Sequence, residues 1–184
     1  MRNRKGFTLI ELLAVIVILA ILMTLSITAM SGSISDARKD TLKTTALQYV
    51  GAARLNFVNS DYTFPASGEC LAVKTNSIEL ESGAHESSFG YKFTDNSYVI
   101  IYNNAVNGQD QYDYYIQMED SVHNGFGMIL ENDLSRGLIK EKRVNSEVNF
   151  VSDLTVGSKV PLYKASGDTG VEKTGECTVS QVIG

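Results

Sequence analysis

The sequence predicts an α+β protein, in which one long N-terminal helix lies against an antiparallel β-sheet. Three observations lead to this fold class. Residues 12–35 carry no charge, residues 42–57 repeat apolar side chains at helical spacing, and short β-rich runs separated by turn residues follow residue 65. A helix covering a sheet is a common way for such elements to bury their apolar faces. We therefore expect the helix to have a membrane half and a half packed on the domain.

The first element is an apolar helix that follows a cluster of positive charge. At 1.5 Å per residue, the uncharged stretch 12–35 would reach roughly 36 Å, which is enough to cross a bilayer. Arg2, Arg4 and Lys5 precede this stretch. Because positive residues favour the cytoplasmic side, we expect the rest of the chain outside. An ordinary secretory signal, cut near Ser31, is the alternative interpretation.

A single acid, Glu11, interrupts the apolar segment. On insertion scales a carboxylate at the centre of a membrane helix costs about 2.5 to 3.5 kcal/mol, and less near the interface, so such a charge is a functional-site hypothesis. Its partner would be a cation in the same layer. The alternative is that the Glu11 side chain extends to the lipid headgroups near the helix end.

Residues 5–13 (KGFTLIELL) and the aliphatic run 14–23 resemble the N-terminus of a type IV prepilin or pseudopilin, with its class III signal peptide and N-terminal methylation motif. The resemblance implies a pilin-like fold. It also implies that a membrane-bound prepilin peptidase and methyltransferase cuts between Gly6 and Phe7 and then methylates the Phe7 amine.

The resemblance supplies the partner that Glu11 lacks. Cleavage would create a cationic amine on Phe7, in the same apolar layer as Glu11. The implied role of Glu11 is to pair with the Phe7 amine of a neighbouring copy and so fix the register of a filament. The implied partners are the peptidase, the cytoplasmic membrane, copies of this chain and other pilins. Contact with DNA or with a surface, made through the filament, stays open.

These expectations divide the chain into four parts. Residues 1–6 are the leader, 7–30 the transmembrane and assembly helix, 31–59 its amphipathic continuation, and 60–184 an extracellular β-rich domain. The formal charge of the whole chain is −5, and loss of the leader's three cations would take it to −8. Such an acidic chain lacks the clustered cations that are typical of nucleic-acid binding.

The continuation of the helix has one apolar face at spacings of three and four residues, which predicts packing on a sheet. The residues of this face are Leu42, Ala46, Val50, Ala53 and Phe57. Asparagine, serine, aspartate and proline collect over 59–65, so the helix should end there.

The rest of the domain is predicted to be mainly strands. The predicted strands are 89–93, 98–102, 112–118, 159–164 and 177–183. We expect the first two to form a hairpin and the glycine-rich stretch 166–175 to separate the last two. The glycines of 124–127 are interpreted as turn residues, and a short helix is expected over 133–142.

The two cysteines, Cys70 and Cys177, both lie outside the membrane in the predicted orientation. An oxidising compartment and an even count favour a disulfide. The bridge would contribute on the order of 4 to 5 kcal/mol in the chain-entropy model. Many pilins close a shorter C-terminal loop with a disulfide. A Cys70–Cys177 bridge would close a much wider loop, so the resemblance to pilins extends to the general architecture and not to the position of the disulfide. Two unpaired buried thiols are the alternative.

No catalytic, metal or cofactor site is predicted, and no enzyme is indicated. His85 and His123 lack metal-ligand spacing and are interpreted as solvated loop residues. Four acids could hold calcium, as in some pseudopilins, but they match no defined loop and are interpreted as solvated. These acids are Asp110, Asp113, Glu119 and Asp120. Three tyrosines of strand 112–118 could form a binding patch, although such residues are more often core or cross-strand pairs. They are Tyr112, Tyr114 and Tyr115.

Two classes of function follow from the sequence. The first is a structural subunit of a type IV pilus-like filament, stored in the membrane and polymerised through its N-terminal helix. Within this class, the alternative is a pseudopilin of a DNA-uptake (competence) or type II secretion system. The second class is an anchored extracellular binding domain whose signal only resembles that of a prepilin.

Overall fold

The computed structural model of the protein describes residues 8–59, 63–80, 85–143 and 147–184. Within these residues it has one α-helix and one six-stranded sheet. The helix, α1, spans Leu9–Asn59. The strands are β1 (Glu69–Lys74), β2 (Tyr98–Asn103), β3 (Tyr112–Glu119), β4 (Gly125–Leu130), β5 (Lys159–Ser166) and β6 (Gly170–Ile183).

The chain divides into two compact units, one ending at Ala37 and the other spanning Arg38–Gly184. The described part of the first unit is the apolar portion of α1. The second unit holds the rest of α1 together with the sheet, and the two share one hydrophobic core. This arrangement confirms the predicted α+β class.

The strand order in the sheet is β4-β3-β2-β1-β6-β5. Every neighbouring pair is antiparallel except β1 and β6, which run parallel. The predicted antiparallel sheet is therefore right for four of the five pairs. The exception arises because β6, after pairing with β5 as a hairpin, also fills the place beside β1.

The part of α1 in the second unit buries the face that the apolar spacing predicts. Each of the five predicted side chains is at most 3% exposed. Tyr49, which the spacing did not include, is also fully buried, and its ring packs edge-on against Phe93. Burying a large apolar side chain contributes roughly 1.5 to 3 kcal/mol, so this face accounts for much of the attachment of helix to sheet. The helix ends at Asn59, inside the predicted window.

Strands β2, β3 and β5 match their predicted ranges to within two residues. The predicted strand over 89–93 is wrong. This segment makes only isolated bridges, because Gly90 takes a positive φ of 87° and the Ser87 carbonyl accepts a hydrogen bond from the Gly90 amide. A chain that turns at Gly90 cannot continue as a strand.

Strands β1 and β4 were missed by the sequence prediction. The glycines interpreted as turn residues lie in β4, where each allows a close approach. A Cβ on Gly125 would stand 2.0 Å from the Met118 carbonyl oxygen, and one on Gly127 would stand 2.6 Å from the Asn149 side chain. Glycine within a strand commonly marks such an approach.

Two other predictions need correction. The stretch 166–175 does not separate two strands, since the turn occupies only residues 167–169 and β6 begins at Gly170. The segment 133–142 forms no α-helix; short 3₁₀ turns stand at Glu131–Asp133 and Arg136–Leu138. Their inward side chains, such as that of Leu138, still contribute to the core.

Candidate functional site

The apolar portion of α1 exposes its side chains along the described length of the first unit. Leu9 is 85% exposed and Leu25 is 65% exposed. By length and composition, α1 could cross a membrane. Contiguous exposed apolar surface of this extent marks a membrane or protein contact site. The apolar surface of the first unit is therefore the first component of the candidate site.

Hydroxyl side chains within this surface are satisfied by the helix itself. The Thr24 hydroxyl donates to the Ile21 carbonyl at 2.8 Å, and the Ser26 hydroxyl donates to the Leu22 carbonyl at 2.9 Å. Because lipid offers no hydrogen-bond partners, a polar group in a membrane helix must find its partner within the protein. Both hydroxyls meet that requirement.

Glu11 lies at the start of α1 and belongs to a capping box with Thr8. One Glu11 carboxylate oxygen, Oε2, accepts hydrogen bonds from the Thr8 amide and the Thr8 hydroxyl, both at 2.8 Å. In return, the Glu11 amide donates to the Thr8 hydroxyl at 3.4 Å. This exchange satisfies donors that a helix N-terminus otherwise leaves free.

The capping box leaves part of the carboxylate available. Both bonds from Thr8 fall on Oε2, and within the residues that the structure describes Glu11 Oε1 accepts no hydrogen bond. Thr8 therefore orients Glu11 while one oxygen stays open to another donor. The sequence analysis did not single out Thr8, although the spacing Thr-x-x-Glu before an apolar run is a recognised helix-start signal.

The other predicted residues of this site, Gly6 and Phe7, lie outside the described residues. Their predicted roles in cleavage and methylation remain predictions. The same holds for pairing between Glu11 and a Phe7 amine.

Cys70 and Cys177 form a disulfide, with their Cα atoms 5.8 Å apart and both residues buried. Cys70 lies in β1 and Cys177 in β6, so the bridge ties together the one parallel pair of strands in the sheet. In the chain-entropy model, a closed loop of this length contributes about 4 to 5 kcal/mol. The disulfide supports the domain and does not lie in an exposed site.

Two of the four acids considered for calcium are not solvated, contrary to the prediction. Asp120 is fully buried, and its carboxylate accepts hydrogen bonds from Ser87, Val122 and Asn124. These donors come from the turn that Asp120 begins and from a second loop. Asp120 is thus a turn-forming residue with protein partners. Among the described residues, no group of three or more His, Cys, Asp or Glu is placed to hold a metal ion.

Glu119 is the second buried acid and belongs to an ion-pair network. Its Oε1 atom lies 2.5 Å from the Arg143 guanidinium and 2.8 Å from His123 Nδ1. Arg143 is fully buried at its side chain, and its guanidinium carbon lies 3.6 Å from the centroid of the Phe150 ring. His123 is exposed and lies in a loop, as predicted, and its ring also contacts this buried acid. His85 is exposed, with Nδ1 at 3.2 Å from the Tyr49 hydroxyl.

The tyrosines of β3 are structural. Tyr114 and Tyr115 are at least nine-tenths buried, and this burial raises the pKa of both phenols. The Arg54 guanidinium stacks over the Tyr114 ring, with its carbon 4.3 Å from the ring centroid, and also pairs with Glu131. Arg54 thereby links α1 to the sheet. The tyrosines form core and cross-element contacts of the kind expected in a sheet.

Comparison with known proteins gives one match. Residues 1–27 match the family model of the prokaryotic N-terminal methylation motif. No curated protein and no solved structure matches the chain. The motif and the apolar helix indicate a membrane-anchored precursor. The chain therefore carries the prokaryotic N-terminal methylation motif at residues 1–27, and this motif supports a type IV pilin-like protein.

Proposed function

We propose that this protein is a structural subunit of a type IV pilus-like filament. The chain waits in the cytoplasmic membrane with its C-terminal domain outside. A prepilin peptidase cuts between Gly6 and Phe7 and methylates Phe7, and the mature subunit then polymerises through α1. The observation that carries this proposal is the methylation motif over residues 1–27, whose residues from Leu9 onward belong to a helix with exposed apolar side chains.

The exposed apolar surface is compatible with both a membrane and a filament. In the membrane this surface contacts lipid, and in a filament it would contact the helices of other copies. Moving it from lipid to protein costs little hydrophobic free energy, because both surroundings are apolar. Register must therefore come from directional contacts, and Glu11 is the charged group in the described part of this segment.

The Glu11 carboxylate is suited to such a directional contact. Thr8 holds Oε2 with two hydrogen bonds, while Oε1 faces no donor among the described residues. A methylated amine on Phe7 of a neighbouring copy would supply a charge-assisted hydrogen bond to Oε1. Leaving either charge unpaired in an apolar layer is costly, so only one register would satisfy both. Thr8 is then a positioning residue for Glu11.

The mature N-terminus tests this proposal most directly. Protein purified from cells that express a prepilin peptidase should begin at N-methylated Phe7 when analysed by intact mass and N-terminal peptide mass spectrometry. A Gly6→Ala variant is the matched control and should keep the leader. A chain that begins near residues 31–34, or that keeps Met1 in the presence of the peptidase, contradicts the proposal.

The role of Thr8 has its own test. Thr8→Ser keeps the hydroxyl and should assemble at nearly the normal level. Thr8→Val keeps the shape but removes both the hydrogen bond that the hydroxyl donates to Glu11 Oε2 and the one it accepts from the Glu11 amide. A hydrogen bond to a charged group contributes about 1.5 to 3 kcal/mol. We expect Thr8→Val to be cleaved normally yet to give several-fold fewer filaments. Equal yields from the two variants would remove Thr8 from the mechanism.

A further inference from the structure

The sequence contains two Asn-Gly pairs, Asn107-Gly108 and Asn124-Gly125, which differ in their solvent exposure. Asn107 and Gly108 are both exposed, at the tip of a two-residue hairpin. Asn124 and Gly125 are both buried. Because the two pairs share the same local chemistry, their surroundings decide how each one reacts.

Asn-Gly pairs can undergo a spontaneous reaction within the chain. The backbone nitrogen of glycine loses its proton and attacks the side-chain Cγ of asparagine, forming an N–Cγ bond. The Cγ–Nδ2 bond then breaks and ammonia leaves with the proton, which gives a succinimide. Solvent water opens this ring at either carbonyl and leaves aspartate or isoaspartate. The reaction needs a free glycine N–H, a free side-chain amide and a backbone that can rotate.

The Asn124 pair meets none of these needs. The Gly125 amide donates to the Lys140 carbonyl at 2.9 Å. The Asn124 side chain donates to Asp120 Oδ2 at 2.9 Å and accepts from the Lys142 amide at 3.0 Å. Gly125 also begins β4 and pairs with Glu119 on one side and Lys140 on the other, so its backbone cannot rotate without opening the sheet.

The Asn107 pair meets all of them. Within the described part of the chain, the Gly108 amide and the Asn107 side chain make no hydrogen bond, and a Cβ on Gly108 would have no atom within 4 Å. Two hydrogen bonds of 3.0 Å between Val106 and Gln109 close the turn. Opening this exposed tip breaks only those two bonds, so it should occur far more often than opening of the sheet.

We propose that Asn107 is a deamidation site on the surface of the domain, and that Asn124 is protected by the fold. The modification places a new negative charge three residues before Asp110 in the sequence. In the isoaspartate product, an extra methylene also enters the main chain inside the two-residue turn. That product cannot keep both hydrogen bonds between Val106 and Gln109, so the hairpin tip opens permanently.

The test uses the full chain in detergent, incubated at mildly alkaline pH and sampled over time. Peptide mass mapping follows conversion at each Asn-Gly pair, and isoaspartyl methyltransferase labelling detects the isoaspartate product. In the folded protein we expect Asn107 to convert at least about tenfold faster than Asn124. In the unfolded protein, the same two sites should convert at similar rates, because the surroundings that distinguish them are gone.

The variant Asn107→Gln should abolish most labelling of the folded protein, which assigns the signal to this position. Equal rates at the two pairs in the folded chain would overturn the proposal. It would also be overturned by an Asn107 that stays unmodified when folded but converts when unfolded. Neither result depends on filament formation, so this inference stands or falls independently of the proposed function.

Discussion

The two portions of α1 have the same secondary structure and opposite surroundings. Before Ala37, apolar side chains such as Leu25 are exposed, at 65% for that residue. After Arg38, apolar side chains such as Leu42 are fully buried against the sheet. In the first portion apolar residues continue around the helix, whereas in the second they occupy one face.

The difference teaches where each portion obtains its stability. The second portion completes its hydrophobic contacts within the chain and belongs to a domain with its own core and disulfide. The described apolar side chains of the first portion are exposed, so lipid or other protein must cover them. Substitutions in the first portion should therefore affect assembly, and substitutions in the second should affect folding.

The largest expected effect comes from removing the charge of Glu11, which lies within the apolar run of the first portion. Glu11→Gln keeps the size of the side chain but removes the anion that we assign to the Phe7 amine. An unpaired charge in an apolar layer costs several kcal/mol, so filament yield should fall by at least about tenfold. Shearing and quantitative immunoblotting of filaments measure the yield. Domain stability and leader cleavage should match the unmodified protein; a normal yield would contradict the comparison.

The second effect comes from removing a charge in the domain. Glu119→Gln leaves the fully buried Arg143 without its closest anion. Breaking a buried pair by changing one partner costs about 3 to 5 kcal/mol, and this should appear in the free energy of unfolding. Urea unfolding in detergent, followed by the near-ultraviolet circular dichroism of the tyrosines, measures it. A change below about 1 kcal/mol would show that the network contributes no more than a surface pair does.

The third prediction compares the same substitution, leucine to alanine, in the two portions of α1. Leu42→Ala removes a fully buried side chain and should lower the free energy of unfolding by about 2 to 5 kcal/mol. Leu25→Ala changes an exposed side chain and should leave the domain unchanged within about 0.5 kcal/mol. The same urea titrations compare the two variants. If Leu25→Ala destabilised the domain as much as Leu42→Ala, the division into two portions would be wrong.

The smallest effect concerns an exposed acid of β6. Lys159 and Lys173, each 3.2 Å from Glu176, donate hydrogen bonds that hold the pKa of that carboxyl below its usual value. The resulting stabilisation is present above the unfolded pKa of Glu176 and is lost as pH falls through its folded pKa. Glu176→Gln should therefore be slightly less stable than the unmodified protein at neutral pH, and the difference should disappear as the pH falls through the folded pKa of Glu176. Thermal midpoints across this range measure the difference; a gap that widens in acid would reverse the assigned sign.

Local patterns were enough to predict α1, its buried face and three strands. The apolar spacing from Leu42 to Phe57 indicates a helix whatever the rest of the chain does. The β-branched and aromatic run of β2 likewise favours a strand by itself. The residues of β1 (ECLAVK) lack an alternating pattern, because four consecutive positions are buried. β4 was missed because its glycines are required by the atoms of Met118 and Asn149, which only the folded chain brings near.

The same distinction holds for the candidate site. Glu11 stands out in sequence because a charge in an apolar run is costly wherever it occurs. Its partner Thr8 is equally local and could have been found from the spacing Thr-x-x-Glu. The pair of Glu119 and Arg143 could not, because the strands and loops between them decide their distance. No property of residues 119 and 143 in isolation distinguishes them from solvated surface charges.

The place of β6 between β1 and β5 has a consequence for the order of folding. Residues 69–74 leave the ribosome long before residues 170–183, so β1 keeps an open edge until almost the whole domain has been synthesised. Contacts of such long sequence separation form late. Because the domain cannot complete its sheet early, its chain stays unfolded long enough to pass through a translocation channel. In the orientation that we propose, the sheet would close on the far side of the membrane, where an oxidising compartment would let Cys70 bond to Cys177.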